Sequence, residues 1–529
     1  MTELTLLRVW LAAATSGVTV PASVRHIVVL TPQWERAWLD ALRSASAAVH
    51  VYDTDGAPSG SELLELLDAM PTSTTHARLL AKYLVSLPLA VCRVTALTTL
   101  DLRFCACLTE LPAAVGRLTA LVSLDLGECK ELVDLPETLG QLTALTWLSM
   151  AACAKLERLP ASMGHLVSLA DLHLGLCRSL THLPESLGQL PALEMLDLSF
   201  CGQLTCLPEL VGPVASLTIL KLCGAGLLSL PGSLTQLSAL KVLILRDCRS
   251  LTCLPLSIDR LTTLTSLDLG SCAALNTLPE SIGRLYALES LVCDACVSVL
   301  PESVSQLSAL KHLNLQSSRL RLLPACIGRL ATLKSLLLER CTALRELPQT
   351  LGELSGLAQL SVAGCLSLTA IPSSLGRLSS LTQLSLSMCI ALTALPASLG
   401  QLSNLRRLDL SYCYTLTALP ESLGQLAALS SLRVYESGLS TVPASFGRLT
   451  KLIELIPSRG NAAWPVTIQM WMLDLTCCNR LLAALRERLL VLVALGRRRR
   501  AHRLPPEVWF LVDTQLWQGQ RSRLFPRSV

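Results

Sequence analysis

The side chains best suited to chemistry in this sequence are its 21 cysteines, and their spacing decides what they can do. Twelve of them recur at one place of a periodic pattern: Cys105, Cys129, Cys153, Cys177, Cys201, Cys248, Cys272, Cys296, Cys341, Cys365, Cys389 and Cys413. A zinc site needs four ligands converging on one point, whereas thiols repeated at this interval form a line. Cys293-x-x-Cys296 has the spacing of a redox or metal pair. But Cys293 falls at a Leu position of the pattern and Cys296 on the line, so both read as structural. An odd number of cysteines in a long chain also argues against a fully paired disulfide framework. His165, His173 and His182 lie close in sequence, yet they occupy different positions of the pattern and should point different ways. Asp53-Thr54-Asp55-Gly56 begins like a calcium loop, but the later ligands do not follow, so it reads as a turn. The sequence holds no G-x-x-x-x-G-K-[ST], no kinase set, no G-x-S-x-G and no H-E-x-x-H. No catalytic, cofactor or metal site assembles, and the chain reads as a non-enzyme.

What positions these cysteines is a repeat. From Leu97 to Lys451 one unit recurs fifteen times, L-x-x-L-x-L-x-x-C-x-x-L-x-x-L-P-x-x-L-G-x-L-x-x. Eleven units have 24 residues, three have 23 and one has 22. In L-x-x-L-x-L the apolar positions alternate, so a short strand turns them to one side. One such strand cannot bury its face alone; stacked copies form a parallel sheet over a continuous Leu core. Parallel strands need a return path, and here it is L-x-x-L-P-x-x-L-G-x-L. Every unit has its Pro, from Pro112 to Pro443, which suits a turn or a first helical turn and not a long helix. The return side is therefore expected to be 3₁₀ or single-turn helix. The three 23-residue units carry Ala225, Ser318 and Ser437 in place of Cys, which predicts that the Cys turn is one residue wider. A buried thiol behaves as a small apolar group with a weak donor and suits such a column.

The unit resembles the leucine-rich repeat. Its L-P-x-x-[IL]-G-x-L half is similar to the repeats of plant disease-resistance proteins and of intracellular Ras-pathway leucine-rich-repeat scaffolds. The resemblance implies an α/β solenoid, with a curved parallel sheet inside and short turns outside, and a Cys or Asn at the ninth position held against neighbouring backbone. It also implies a non-catalytic scaffold that binds a protein on its concave face. The nucleotide-binding module of the plant proteins is missing, since Gly-Lys occurs nowhere in the chain.

On that reading, positions two, three, five, seven and eight of each unit face outward. The candidate partner-binding residues are Asp101, Phe104, Asp125, Trp147, Phe200, Arg406, Arg407, Tyr412, Arg433 and Tyr435. Exposed aromatic and Arg side chains on a rigid scaffold are candidate hot spots. The charges are ordered along the chain. Units one to five sum to −5 on these positions, and units ten to fifteen to +3. Opposite signs would orient an elongated protein partner, although Asp in L-D-L is also common repeat grammar.

The flanks complete the expected organisation: residues 1–86 an α/β cap or docking region, 87–456 the solenoid, and 457–529 a helical cap with a basic tail. His26–Leu30 and Ala48–Tyr52 read as strands, and Thr31-Pro32 as the start of a helix holding Trp34 and Trp38. Ser61–Met70 and Thr74–Ser86 read as further helices, and Met470–Gly496 as helical capping sequence. The last 33 residues hold eight Arg against Glu507 and Asp513, so the rest of this +5 chain carries about −1 and is a poor match for nucleic acid. Arg497–Arg500 reads as a solvated helix end, a nuclear-import signal or an acidic-lipid patch. Leu504–Val512 resembles the start of an F-box, which gives a second reading as a ubiquitin-ligase substrate receptor. Met1–Ala14 reads as an amphipathic helix; a cleaved signal there, with paired cysteines, would give a third reading as an extracellular recognition protein. The run Leu378–Leu405 carries no charge but belongs to the repeat, so no membrane span is expected. The thiol column places the chain in the cytoplasm, or in the nucleus through Arg497–Arg500. Nothing in the sequence sets an oligomeric state.

Overall fold

The computed structural model describes residues 26–31, 48–53, 70, 72–209, 216–439, 443–452 and 454–456. The chain divides into two compact bodies, Met1–Leu344 and Arg345–Val529. The helices expected around Trp34 and after Ser61, the helical cap Met470–Gly496, Arg497–Arg500 and Leu504–Val512 lie outside the described residues.

In the first body each strand pairs in parallel with the next in chain order. His26–Thr31 and Ala48–Asp53 come first, as the sequence indicates, followed by His76–Leu80 and eleven three-residue strands from Thr99–Asp101 to Ser335–Leu337. The register keeps equivalent residues side by side, as in Leu243, Leu267 and Leu291. The second body repeats the arrangement in Gln359–Ser361, Gln383–Ser385, Arg407–Asp409, Ser431–Arg433 and Glu454–Ile456. The Leu columns are sealed: Leu267, Leu269, Leu402 and Leu410 are wholly buried. The charge-free run 378–405 contributes one strand and the 3₁₀ turn Ala397–Gln401. Among the described residues no helix is long and apolar enough to cross a membrane.

One expectation is overturned at the start of the repeat. Residues 74–86 do not form a helix: His76–Leu80 is a strand, in register with Thr99–Asp101 through His76–Thr99, Ala77–Leu100 and Arg78–Asp101. A 3₁₀ turn follows at Val91–Arg93. Thr74, wholly buried, takes the place of the first Leu, Ala77 that of the second and Leu79 that of the third. A unit of the repeat is therefore already in place from Thr74, ahead of Leu87.

The return path is a 3₁₀ turn in almost every unit, five residues long in most, entered from Pro in extended backbone. Pro112 shows why: its carbonyl accepts the N–H of Val115, and its own missing donor leaves nothing unpaired. Successive turns are tied by carboxylates. Glu137 accepts the N–H groups of Ala161 and Ser162, at 3.1 and 2.9 Å, and Glu421 those of Ala444 and Ser445, at 3.2 and 3.0 Å. The Ser162 N–H holds Glu137 below the usual carboxylate range, and the Ser445 hydroxyl and N–H do the same for Glu421. A carboxylate lowered in the folded state stabilises above its unfolded pKa of about 4.3, and the effect is lost as pH falls through the lowered folded value. Urea unfolding should therefore show Glu137→Gln/Glu421→Gln less stable than wild type at pH 7, with the difference closing on acidification towards pH ~3. A difference independent of pH would assign these residues no ionic role.

The strand ends in a left-handed residue. Position eight has positive φ in all fifteen units, thirteen of them non-glycine with φ from 48° to 67°. Its N–H donates to the position-seven carbonyl of the next unit, as from Phe104 to Gly127. The reversal brings position nine under the preceding unit. Cys105, Cys129, Cys153, Cys177, Cys201, Cys248, Cys272, Cys341, Cys389 and Cys413 donate their thiols to the position-six carbonyl of that unit at 3.0–3.3 Å. In eleven Cys units the N–H three residues on closes a turn onto the Cys carbonyl, whereas Gly226 and Gly438, after Ala225 and Ser437, bond to Cys201 and Cys413 one unit back. The wider Cys turn is thus real, with one exception. Cys296 sits in the 22-residue unit, and its thiol donates within that unit to the Cys293 carbonyl, as the Ser437 hydroxyl does to Val434.

Burial pushes the column thiols up, to about 12 at Cys105, Cys201, Cys248 and Cys389 and about 11 at Cys413. Buried thiols with so little thiolate at neutral pH react slowly. Alkylation of the native protein followed by peptide mass spectrometry should mark exposed Cys206 and Cys253 and spare the column until unfolding. Substantial native labelling of the column, or recovery of disulfide-linked column peptides, would contradict this structure and favour an extracellular protein.

Candidate functional site

Among the described residues no three His, Cys, Asp or Glu side chains converge as a metal site. What the fold offers a partner is the outer side of each sheet, where positions three and five stand between buried Leu residues.

In the first body this side is bound up in its own ion pairs. Asp101 receives Arg78 at 2.7 Å and Arg103 at 2.9 Å, and Arg103 also reaches Asp125 at 3.1 Å. Burial pushes Asp101 up, but hydrogen bonds and charge from Arg103, with Arg78, outweigh it and hold the carboxyl low. At Asp125 burial prevails and the carboxyl is raised. Further along, Arg246 grips Asp268 at 3.1 Å and Asp294 at 2.9 Å, and Lys221 lies 3.8 Å from Asp197. Position-five Asp also has a local task. One oxygen accepts the N–H two residues on: Asp101 from Arg103, Asp125 from Gly127, Asp197 from Ser199, Asp268 from Gly270 and Asp409 from Ser411, at 2.9–3.1 Å. These side chains close the strand-to-turn corner. The acidic surplus counted over units one to five is therefore partly repeat grammar, and Arg78 and Lys221, outside that count, offset it.

The aromatic candidates in this body are placed separately. Phe104 and Phe200 are about half exposed, at 55% and 49%. The Phe200 ring lies over Gly224, the same position of the next unit, where a Cβ would come 2.6 Å from Cδ1. Their left-handed backbone is shared by every unit, so strain does not single them out. Trp147 meets His173 of the next strand, ring centroids 5.5 Å apart, a contact the sequence reading missed because it placed both residues one at a time.

In the second body Arg407 and Arg433 occupy adjacent strands, with Arg407 opposite Ser431 and Arg433 opposite Asp409. Arg406, Arg407 and Arg433 are exposed, and Arg406 and Arg407 make no ion pair among the described residues. Tyr412 meets Tyr435 edge-on, centroids 5.2 Å apart, and Tyr414 at 6.3 Å. Tyr414, 55% exposed, escaped the sequence reading because it lies two residues past the outward positions, beyond the Cys turn.

This geometry agrees with family models. The leucine-rich repeat region model matches residues 293–414, and the leucine-rich repeat model residues 404–426. A leucine-rich-repeat protein of Leptospira interrogans superposes with a TM-score of 0.59 at 29% identity, over 79% of this chain and 97% of that one. The chain is a leucine-rich-repeat protein. Another solved structure, the Drosophila Toll–Spatzle complex, matches with a TM-score of 0.50 at 18% identity, over 81% of this chain and 60% of that one, and shares the fold alone. No curated protein matches the sequence. Leucine-rich-repeat solenoids are in general non-catalytic scaffolds for protein–protein interaction.

Proposed function

We propose that this leucine-rich-repeat protein is an interaction scaffold in intracellular signalling or defence, and that Arg406, Arg407, Arg433, Tyr412 and Tyr435 take an acidic segment of a protein partner. The observation that carries this is the contrast in pairing. Asp101 and Asp125 are held by arginines of their own chain, whereas Arg406 and Arg407 are exposed and without an ion pair among the described residues. Arg forks match carboxylates, and the edge-packed Tyr rings supply rigid apolar area beside them. Asp101 and Asp125 are assigned to holding their own face together. The free column thiols support a reducing compartment such as the cytoplasm.

Charge reversal tests it. Arg406→Glu/Arg407→Glu should leave the fold intact, since both side chains lie outside the core. It should weaken capture of the partner about tenfold or more, slow association, and remove most of its salt dependence. Asp101→Lys/Asp125→Lys should instead reduce stability, by repelling Arg78 and Arg103. Recovery of the same partners at the same yield from the Arg406/Arg407 reversal would make the patch a solvated face.

A further inference from the structure

We infer that the first body carries a second docking surface, over units five to seven, for an amphipathic helix of a protein partner with a basic residue at one end. The inference rests on the reading of this chain as a binding scaffold, but not on the arginine cluster. Three consecutive position-three residues are apolar, Met195, Ile219 and Val242, and the register sets them side by side on adjacent strands. Ile244 extends the strip at position five of the last strand. All four are half-buried on a side of the sheet whose other outward positions are mostly polar or small. The charges in the next column are already satisfied, Asp197 by Lys221 and Asp268 by Arg246, so a partner has no charge to match there.

The spacing selects the occupant's conformation. Strands lie ~4.8 Å apart, so the strip from Met195 to Val242 spans ~9.6 Å. A helix laid across the strands presents side chains at i, i+3 or i+4, and i+7, a run of ~10.5 Å. An extended chain presents alternate residues every ~6.8 Å, and three of them overrun the strip by ~4 Å. The helix keeps step with the units and the extended chain does not.

Charge sets its direction. At the Met195 end stand Asp171, half-buried, and Glu194, exposed, neither in an ion pair among the described residues. At the other end stands exposed Lys241. A partner helix with Lys or Arg over Asp171 and Glu194 complements the Met195 end, whereas the reverse orientation sets that charge against Lys241.

The test is selection of peptides from a random display library against the full chain, with the affinity of synthetic copies measured by fluorescence polarisation. Enriched peptides should share apolar residues at i, i+3 or i+4, and i+7 with a basic residue at one end, and should become helical when bound. Ile219→Asp should weaken them about tenfold or more. Asp171→Lys/Glu194→Lys, which changes no core residue, should weaken them too and switch the selected terminal residue to acidic, so the test survives if Ile219→Asp folds poorly. Arg406→Glu/Arg407→Glu should leave their affinity unchanged. The inference is overturned if nothing enriches, if the peptides bind extended, or if the Asp171/Glu194 reversal binds them as wild type does. It is also overturned if sedimentation shows the strip buried between two copies of this chain.

Discussion

Leu267→Ala should destabilise the chain by ~2–5 kcal/mol, because the residue is wholly buried between Leu243 and Leu291 and the flanking strands cannot close the cavity. Its neighbour gives the contrast. The sequence pattern, with position five facing outward, assigns Asp268 to solvent and its change to Ala a cost of about 0.5 kcal/mol or less. The structure raises that figure: one Asp268 oxygen accepts the Gly270 N–H at 2.9 Å, and the other meets Arg246 at 3.1 Å. Loss of a capping carboxylate of this kind costs ~1 kcal/mol, and the partly exposed ion pair adds little to it. Long repeat arrays need not unfold in one step, so the measurement is urea unfolding by circular dichroism together with hydrogen exchange at the flanking strands. Equal losses at 267 and 268 would place the strand in the wrong register.

The difference between those two residues shows what the sequence could and could not tell. Period-two alternation of Leu marks the strands and their inward side without ambiguity, and the invariant Pro marks the 3₁₀ return. Both signals are local. The unit at 74–96 was illegible because Thr74 and Ala77 stand where Leu is expected, and only the pairing of Ala77 with Leu100 reveals that they fill Leu positions. Charge was misjudged for a related reason. Arg78 lies in that hidden unit, and Arg246 reaches Asp294 across 48 residues of sequence, so no count along the chain could find their partners. The second body suffers less from this: Arg407, Arg433, Tyr412 and Tyr435 lie one unit apart, and fixed register turns that separation into adjacency.

A second expected result concerns a methyl group whose effect changes sign with position. Gly283→Ala should destabilise the first body by ~1–3 kcal/mol, whereas Gly232→Ala should stabilise it by ~0.4–1 kcal/mol. A Cβ at Gly283 would lie 2.2 Å from the Ser303 carbonyl oxygen of the next turn, and backbone cannot swing aside as a side chain can. A Cβ at Gly232 meets nothing within 4 Å and only restricts the unfolded chain. The same close approach recurs at Gly352, Gly376 and Gly400, at 2.2–2.3 Å from a Ser carbonyl. It also explains the Ser column facing these glycines. The hydroxyls of Ser162, Ser186, Ser303, Ser374 and Ser422 are buried without a hydrogen-bond partner, whereas Thr138 and Ser398 at the same position donate to the Ala113 and Ser373 carbonyls, so small size is the shared requirement and bonding is not. Units without the glycine show what replaces it. Thr235 and Ser305 fold their hydroxyls back onto the Gly232 and Glu302 carbonyls, at 2.8 Å each; the next turn shortens to Ile258–Arg260 after Thr235 but keeps five residues, Ala325–Arg329, after Ser305. A hydroxyl bonded within its own turn therefore accompanies a side chain at these two positions, and Gly283→Ala brings no such bond with it. Thermal unfolding of the two variants beside wild type decides the matter: shifts of the same sign would show that turn spacing does not depend on the missing methyl.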